Sequence, residues 1–155
     1  MGVPASPSEP AGATLSTAQR RFLIDARRAI LATIDDRGWP RPVPICYVLL
    51  GEDRPVLWTP IDEKPKRVHD PMQLARIRDI TLRPAVAVLV DRWSEDWSEL
   101  AWLRLHARAR VLPQPAGDVL EALREKYSQY REQRLEGRPI IRIELAGVTS
   151  WGRLA

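Results

Sequence analysis

Strict alternation of apolar and polar residues marks one strand more clearly than any other segment. Over residues 103–111 every odd position is apolar, and the even positions are Arg104, His106, Arg108 and Arg110. A period of two places these two sets on opposite faces of a β-strand. The pattern therefore predicts a strand with one face in the core and a largely cationic face turned away from it.

Apolar residues at helical spacing predict three helices. The first follows a capping-box sequence that begins at Ser16, and we expect it to end near Arg28. The second is expected to begin at Asp70, which precedes a proline, and to run to about Thr81. The third covers the apolar positions of residues 119–130.

Short apolar runs bounded by turn residues predict the remaining strands. They lie at residues 29–34 and 43–50, which we interpret as a hairpin, and at 56–61, 85–90, 140–145 and 148–154, the last two forming one strand or two. The run at 85–90 is continuously apolar and predicts a buried strand. Six or seven strands joined by short connections favour an α+β fold built on an antiparallel β-barrel over a doubly wound α/β sheet.

Prolines at positions 40, 42 and 44 alternate where the second strand begins. Each removes an amide that a central strand needs for its hydrogen-bond ladder. We therefore expect this segment to lie at the edge of the sheet, or to face something other than a strand.

Length and composition indicate one globular domain. The chain has 155 residues, of which 45% are hydrophobic and 28% charged. Residues 1–15 contain three prolines among small residues and are expected to form a disordered tail, so the domain spans 16–155. No apolar run approaches the about 20 residues that span a bilayer, and no signal peptide is recognisable, which predicts a cytoplasmic protein without a membrane partner.

Several classes of chemistry lack their motifs. No GxG is present, which excludes the dinucleotide fingerprint and the Walker phosphate loop, and no GxSxG elbow is present. The single cysteine, Cys46, rules out an intramolecular disulfide, and His69 and His106 lack the spacing of a zinc site, so we expect no metal. The net charge of +4 comes from arginines mixed with acidic residues, which argues against a nucleic-acid partner.

A cationic loop is the strongest candidate for binding. Thr59 and Pro60 end the third strand, and Lys64, Lys66 and Arg67 follow before the next helix. Ammonium and guanidinium groups beside a hydroxyl can hold a phosphate. A solvated basic turn is the alternative interpretation.

The order of these segments resembles the split-barrel flavin and deazaflavin oxidoreductases, the pyridoxamine 5'-phosphate oxidase-like proteins. The resemblance covers about residues 16–155 and rests on Val43-Pro44-Ile45, Trp58-Thr59-Pro60, Lys64-Pro65-Lys66, Arg83-Pro84-Ala85-Val86-Ala87 and Val90-Asp91-Arg92-Trp93. Residues 91–97, followed by Leu103-Arg104-Leu105, are similar to one branch, the probable coenzyme F420-dependent enzymes.

The resemblance implies an antiparallel split β-barrel of the FMN-binding type and a homodimer whose cofactor sites lie in clefts between subunits. The residues that it assigns to the cofactor are Val43, Pro44 and Ile45 beside the ring, Thr59, Pro60, Lys64, Lys66 and Arg67 on the phosphate side, and the aromatic residues Trp93, Trp97 and Trp151. Core or dimer packing is the alternative role for these three tryptophans.

The activity implied is hydride transfer between coenzyme F420 and a small organic acceptor, with no catalytic side chain required. Arg104 and His106 either contact the substrate or face solvent. The arginine-rich carboxy-terminal motif of true pyridoxamine phosphate oxidases is missing, so oxidation of vitamin B6 is not expected. An FMN-dependent enzyme and a non-catalytic module that binds a flavin, deazaflavin or heme remain as alternatives.

Overall fold

The computed structural model describes residues 12–62, 70, 72 and 74–155. Three α-helices are present in this part of the chain: α1 (Thr17–Asp25), α2 (Ala75–Leu82) and α3 (Gly117–Lys126). Its seven strands are β1 (Ala29–Ile34), β2 (Pro40–Ile45), β3 (Val48–Leu50), β4 (Val56–Pro60), β5 (Ala85–Arg92), β6 (Ala101–Leu112) and β7 (Ile140–Gly152). Short 3-10 helices span Trp97–Glu99 and Ser128–Arg131.

The strands form a single antiparallel sheet in the order β2-β1-β5-β6-β7-β4-β3. This arrangement confirms the α+β class and the antiparallel split β-barrel. The prolines of β2 lie on an edge strand, as predicted. The last two apolar runs belong to the one strand β7, whose pairing with β6 shifts register between His106 and Ala107.

Two apolar cores hold the sheet. The larger lies inside the curled sheet and includes the inward residues of β6, which confirms the alternation predicted for 103–111. The smaller lies between α3 and the strands β3 and β7, around Leu123, Val48 and Ile140. Neither core contains the outward residues of β1 and β5, so the second face of these strands stays accessible.

The amino-terminal segment joins the core before α1 begins. Ala13 donates its N–H to the carbonyl of Leu145 at 3.0 Å, and Leu15 packs against the larger core. Ser16 caps α1 through the predicted capping box with Gln19. The helix ends at Asp25 and not near Arg28, because Ala26 already has an extended backbone.

Two predicted strands differ from the structure. The run 43–50 divides into β2 and β3, because Tyr47 turns into the core and is fully buried there. The strand that contains residues 85–90 is not buried throughout: Val86, Val88 and Val90 face the core while Leu89 is 39% exposed.

The start of α2 also differs from its prediction. The helix begins at Ala75 after Leu74, which has no side-chain cap. The carboxylate of Asp70 instead accepts a hydrogen bond from the backbone N–H of Met72 at 3.0 Å, so it forms a local turn ahead of the helix.

No helix in the described ranges is long and apolar enough to cross a bilayer.

Candidate functional site

Outward residues of four adjacent strands form one continuous surface, which we call the outer face. Its members are Pro42 and Pro44 on β2, Ile30 and Ala32 on β1, Ala87 and Leu89 on β5, and Arg104 and His106 on β6. The strand pairings align Pro44 with Arg104 in one row across the sheet and Pro42 with His106 in the next. The two ends of each row are three strand spacings apart, which is about 14 Å across the sheet. The outer face is therefore apolar in its centre and cationic or titratable on one side.

The turn of the β1–β2 hairpin determines which opposed residues of the two strands exchange hydrogen bonds. Asp35 donates its N–H to the carbonyl of Trp39 at 2.9 Å. Hydrogen-bonded and non-bonded pairs alternate along an antiparallel ladder. In this register the bonded pairs that follow toward the end of β2 include Thr33 with Arg41 and Leu31 with Val43.

The intervening residues Pro40, Pro42 and Pro44 therefore direct their peptide groups away from β1. Each carries a carbonyl oxygen but no N–H, since proline has no amide hydrogen. We call this outer margin of β2 the donor-free edge. It can accept hydrogen bonds from a ligand and cannot donate any along residues 40, 42 and 44.

The end of β2 lies beside the end of β4. Only Cys46 and Tyr47 separate Ile45 from Val48, which is paired with Trp58 on β4. Tyr47 donates its N–H to the hydroxyl of Tyr127 at 3.0 Å and its own hydroxyl to the carbonyl of Leu23. These bonds hold the connection between β2 and β3 in place. Val43, Pro44 and Ile45 therefore lie in a part of the fold that neighbours Thr59 and Pro60.

Where the chain leaves β4 it is buried and held by side chains. Thr59, Pro60 and Asp62 are all buried. Tyr130 donates its hydroxyl to a carboxylate oxygen of Asp62 at 3.0 Å, and Arg138 donates to the carbonyls of Ile61 and Asp62. Burial, followed by the charge of Asp62, raises the pKa of Tyr130 well above its ordinary value. The exit of β4 is thus a fixed platform for the residues that follow.

Arg76, in the first turn of α2, carries a buried Nε atom that has no hydrogen-bond partner among the residues the structure describes. Burial lowers the pKa of its guanidinium, and the charges of Asp62 and Tyr130 partly oppose that shift. A buried donor that finds no acceptor destabilises a protein. This donor suits an anionic ligand near the end of β4. The sequence singled out no such role for Arg76, which lacks a motif of its own.

The three cations that the sequence assigned to the phosphate, Lys64, Lys66 and Arg67, lie outside the described residues. Their contribution stays a prediction.

The predicted aromatic residues are exposed in a single copy of the chain. Trp93 is 68% exposed, Trp97 74% and Trp151 54%. Trp151 lies opposite Trp102 across the β6–β7 pairing. Exposed apolar side chains that form one contiguous patch are typical of binding surfaces.

Arg104 and His106 are exposed on β6. Arg104 places its guanidinium 5.6 Å from the ring centroid of Trp102, within cation–π range. Among the residues that the structure describes, no three histidine, cysteine or acidic side chains converge as metal ligands do.

A model of the family described as pyridoxamine 5'-phosphate oxidase matches residues 15–152. No curated protein sequence matches the chain significantly.

Solved structures give the same fold. A conserved hypothetical protein of Mycobacterium tuberculosis is 18% identical, with a TM-score of 0.67 over 94% of this chain and 89% of its own. A structure named as an F420 reductase is 19% identical, with a TM-score of 0.62 over 87% of this chain and 98% of its own. The heme storage protein HutZ of Vibrio cholerae is 14% identical, with a TM-score of 0.63 over 88% and 94%. At these identities the likeness establishes the fold alone.

Proposed function

The chain belongs to the pyridoxamine 5'-phosphate oxidase family, and from that premise we propose that it binds coenzyme F420 and transfers a hydride between this deazaflavin and a small organic acceptor. The ring lies along β2 beside Val43, Pro44 and Ile45.

The donor-free edge is the observation that carries this choice of cofactor. A flavin has a nitrogen at ring position 5, which accepts a hydrogen bond, whereas a 5-deazaflavin has a C–H group there. An acceptor that is removed from water without a donor destabilises the complex. The donor-free edge presents only the carbonyls of Pro40, Pro42 and Pro44. It offers no hydrogen-bond donor to the nitrogen at position 5 of a flavin, whereas the C–H group of a deazaflavin at that position needs none.

The anionic side of the cofactor lies where the chain leaves β4. Thr59 and Pro60 belong to that exit, and Lys64, Lys66 and Arg67 follow it in the sequence. The buried Nε of Arg76 supports this placement because it is a cationic donor with no acceptor in the described part of the chain. A phosphate there gains charge-assisted hydrogen bonds.

A second copy of the chain completes the site. Trp93, Trp97 and Trp151 are more than half exposed, and their burial against a partner would remove a large apolar area from water. The proposed assembly is a homodimer in which these tryptophans, or some of them, close the cofactor cleft.

The cofactor, when bound, supplies the hydride-carrying ring carbon. The side chains of the protein bind and orient it and exclude water from the reacting face. Arg104 and His106 share rows with Pro44 and Pro42, so they offer a cation and an imidazole to a polar or anionic acceptor on the outer face. No side chain is assigned a proton transfer.

FMN is the alternative cofactor, and the alternative activity is binding without turnover. Two observations favour binding without turnover. The fold is similar to that of a heme storage protein, and the exposed imidazole of His106 is a potential iron ligand.

The test is turnover with the reduced deazaflavin. Purified protein is mixed with reduced coenzyme F420 and a quinone, a nitro compound or a tetrapyrrole, and oxidation of the cofactor is followed by absorbance. The proposal expects oxidation with at least one acceptor, at a rate that scales with protein concentration. Tight binding of the deazaflavin with no oxidation by any acceptor favours the binding module, and tight binding of heme alone contradicts the deazaflavin proposal.

A further inference from the structure

A cavity of about 930 Å³ lies away from the donor-free edge, where the end of β6 meets β7 and the start of β4. Four arginines and one glutamate line it among the described residues: Arg54, Arg108, Arg110, Arg142 and Glu144. We call it the arginine groove. Its volume is in the range of pockets that hold small organic ligands.

Three of these arginines have no acidic partner within the described part of the chain. Arg142 contacts the carboxylate of Glu144, while no carboxylate pairs with Arg54, Arg108 or Arg110. Arg108 and Arg110 are both exposed and both face outward on β6. The groove therefore carries an uncompensated positive charge.

The strand register concentrates that charge. Arg110 lies directly opposite Arg142, and Arg108 lies opposite Glu144. Like charges in directly opposed positions of an antiparallel pair destabilise the sheet. Glu144 offsets part of that repulsion through its contact with Arg142. A bound anion between Arg110 and Arg142 would relieve the rest.

The spacing suits a ligand with more than one anionic group. Arg110 lies two positions beyond Arg108 along β6, a distance of about 7 Å. The neighbouring strand lies about 4.8 Å away. Guanidinium groups bind phosphate and carboxylate oxygens in pairs of parallel hydrogen bonds. Val56 and Leu145 add an apolar part to the lining.

We propose that the arginine groove binds a small organic molecule that carries two or more clustered oxyanion groups, either phosphates or carboxylates. This site is separate from the proposed cofactor site: β1 and β5 stand between β6 and the donor-free edge of β2, and the groove adjoins the start of β4 and not its end.

Calorimetric titration of the intact protein tests the proposal, with pyrophosphate and citrate as probes in separate arms. The variant Arg108→Gln/Arg110→Gln removes two of the unpaired cations, and Arg28→Gln/Arg37→Gln removes two exposed arginines elsewhere on the surface. The proposal expects one of the probes to bind at low ionic strength, with about tenfold weaker binding in the groove variant and less than about twofold change in the control. The arm with the tighter binding identifies phosphate or carboxylate as the natural group.

A second variant, Arg54→Gln, changes a lining residue in the β3–β4 connection and leaves the sequence of β6 unchanged. It is expected to weaken binding of the same probe. Binding of coenzyme F420 is expected to be equal in all four proteins, which separates this proposal from the cofactor proposal. A DNA duplex is titrated in a third arm. The groove proposal is overturned by the absence of binding to both small probes, by equal loss of affinity in the control variant, or by tighter binding of the duplex than of both small probes.

Discussion

Arg41 donates its Nε–H to the Oδ2 atom of Asp79 at 2.9 Å, and the same oxygen accepts the hydroxyl of Thr33 at 2.7 Å. Asp79 belongs to α2 and is only 6% exposed. Thr33 lies on β1 and Arg41 on β2, so one carboxylate ties the helix to both strands of the first hairpin. This contact fixes the edge strand on which the proposed cofactor lies.

Removal of that carboxylate is expected to destabilise the fold. Asp79→Ala leaves the buried hydroxyl of Thr33 and the guanidinium of Arg41 without their shared acceptor, which costs about 2 kcal/mol in the free energy of unfolding. Urea unfolding followed by circular dichroism measures it. The matched control is Asp36→Ala in the exposed hairpin turn, with an expected effect below about 0.5 kcal/mol. Equal stability of the two variants would mean that Asp79 does not anchor the hairpin.

The exposed tryptophans predict a dimer that depends on them. Trp97→Ser and Trp151→Ser together are expected to shift the protein from dimer to monomer in sedimentation velocity, because the apolar contact area between subunits is lost. Trp39→Ser, which removes an equally exposed ring at the hairpin turn, serves as the control and should leave the sedimentation coefficient unchanged. A wild-type protein that sediments as a monomer at all concentrations contradicts the proposed assembly.

The cationic loop predicts a loss of cofactor affinity. Lys64→Ala together with Lys66→Ala is expected to weaken binding of coenzyme F420 by about tenfold, because two charged hydrogen-bond donors to the phosphate are removed. Fluorescence titration measures the affinity, and the circular dichroism spectrum checks that the fold is intact. Arg28→Ala/Arg37→Ala is the charge-matched control. Unchanged affinity in the lysine variant would move the phosphate site elsewhere.

Lys126 predicts an unusual rise of stability in alkaline solution. Its Nζ is buried 4.1 Å from the ring centroid of Tyr47 and has no hydrogen-bond partner within residues 12–62, 70, 72 and 74–155. Burial lowers the pKa of Lys126 to about 8 from its ordinary 10.5. Between these values the unfolded chain holds a proton that the folded protein has released, so the free energy of unfolding increases with pH.

Above pH 10 the tyrosines reverse this trend. Burial raises the pKa of Tyr127 to about 12 and also raises the pKa of Tyr47, so the folded protein then retains protons that the unfolded chain loses. Urea unfolding at pH 8, 9 and 10 should show the rise in the wild type and its absence in Lys126→Met. Parallel profiles for the two proteins would exclude Lys126 as the cause.

The parts of the fold that follow from local sequence were predictable. The alternation at 103–111 defines both faces of β6, the capping box places the start of α1, and the prolines of β2 identify an edge strand. Each of these features depends on neighbours along the chain.

Features that depend on distant contacts were not predictable. The break between β2 and β3 arises because Tyr47 bonds to Tyr127 on the far side of the sheet. The burial of the Arg76 Nε atom depends on the packing of α2, and the opposition of Arg110 to Arg142 depends on the register of β6 against β7. No periodicity in the sequence encodes these relationships.

The relative affinity for a deazaflavin and a flavin is the decisive measurement for the proposed cofactor. Coenzyme F420 and FMN are titrated separately into the wild type and into Pro44→Ala, which returns an N–H to the donor-free edge, with Pro40→Ala as a control at the far end of β2. The wild type is expected to bind coenzyme F420 more tightly than FMN. Pro44→Ala is expected to reduce the ratio of the two affinities by about fivefold through a gain in FMN affinity alone, which is the effect of one added hydrogen bond. Equal wild-type affinity for the two cofactors, or a Pro44→Ala variant that leaves their ratio unchanged, would contradict it.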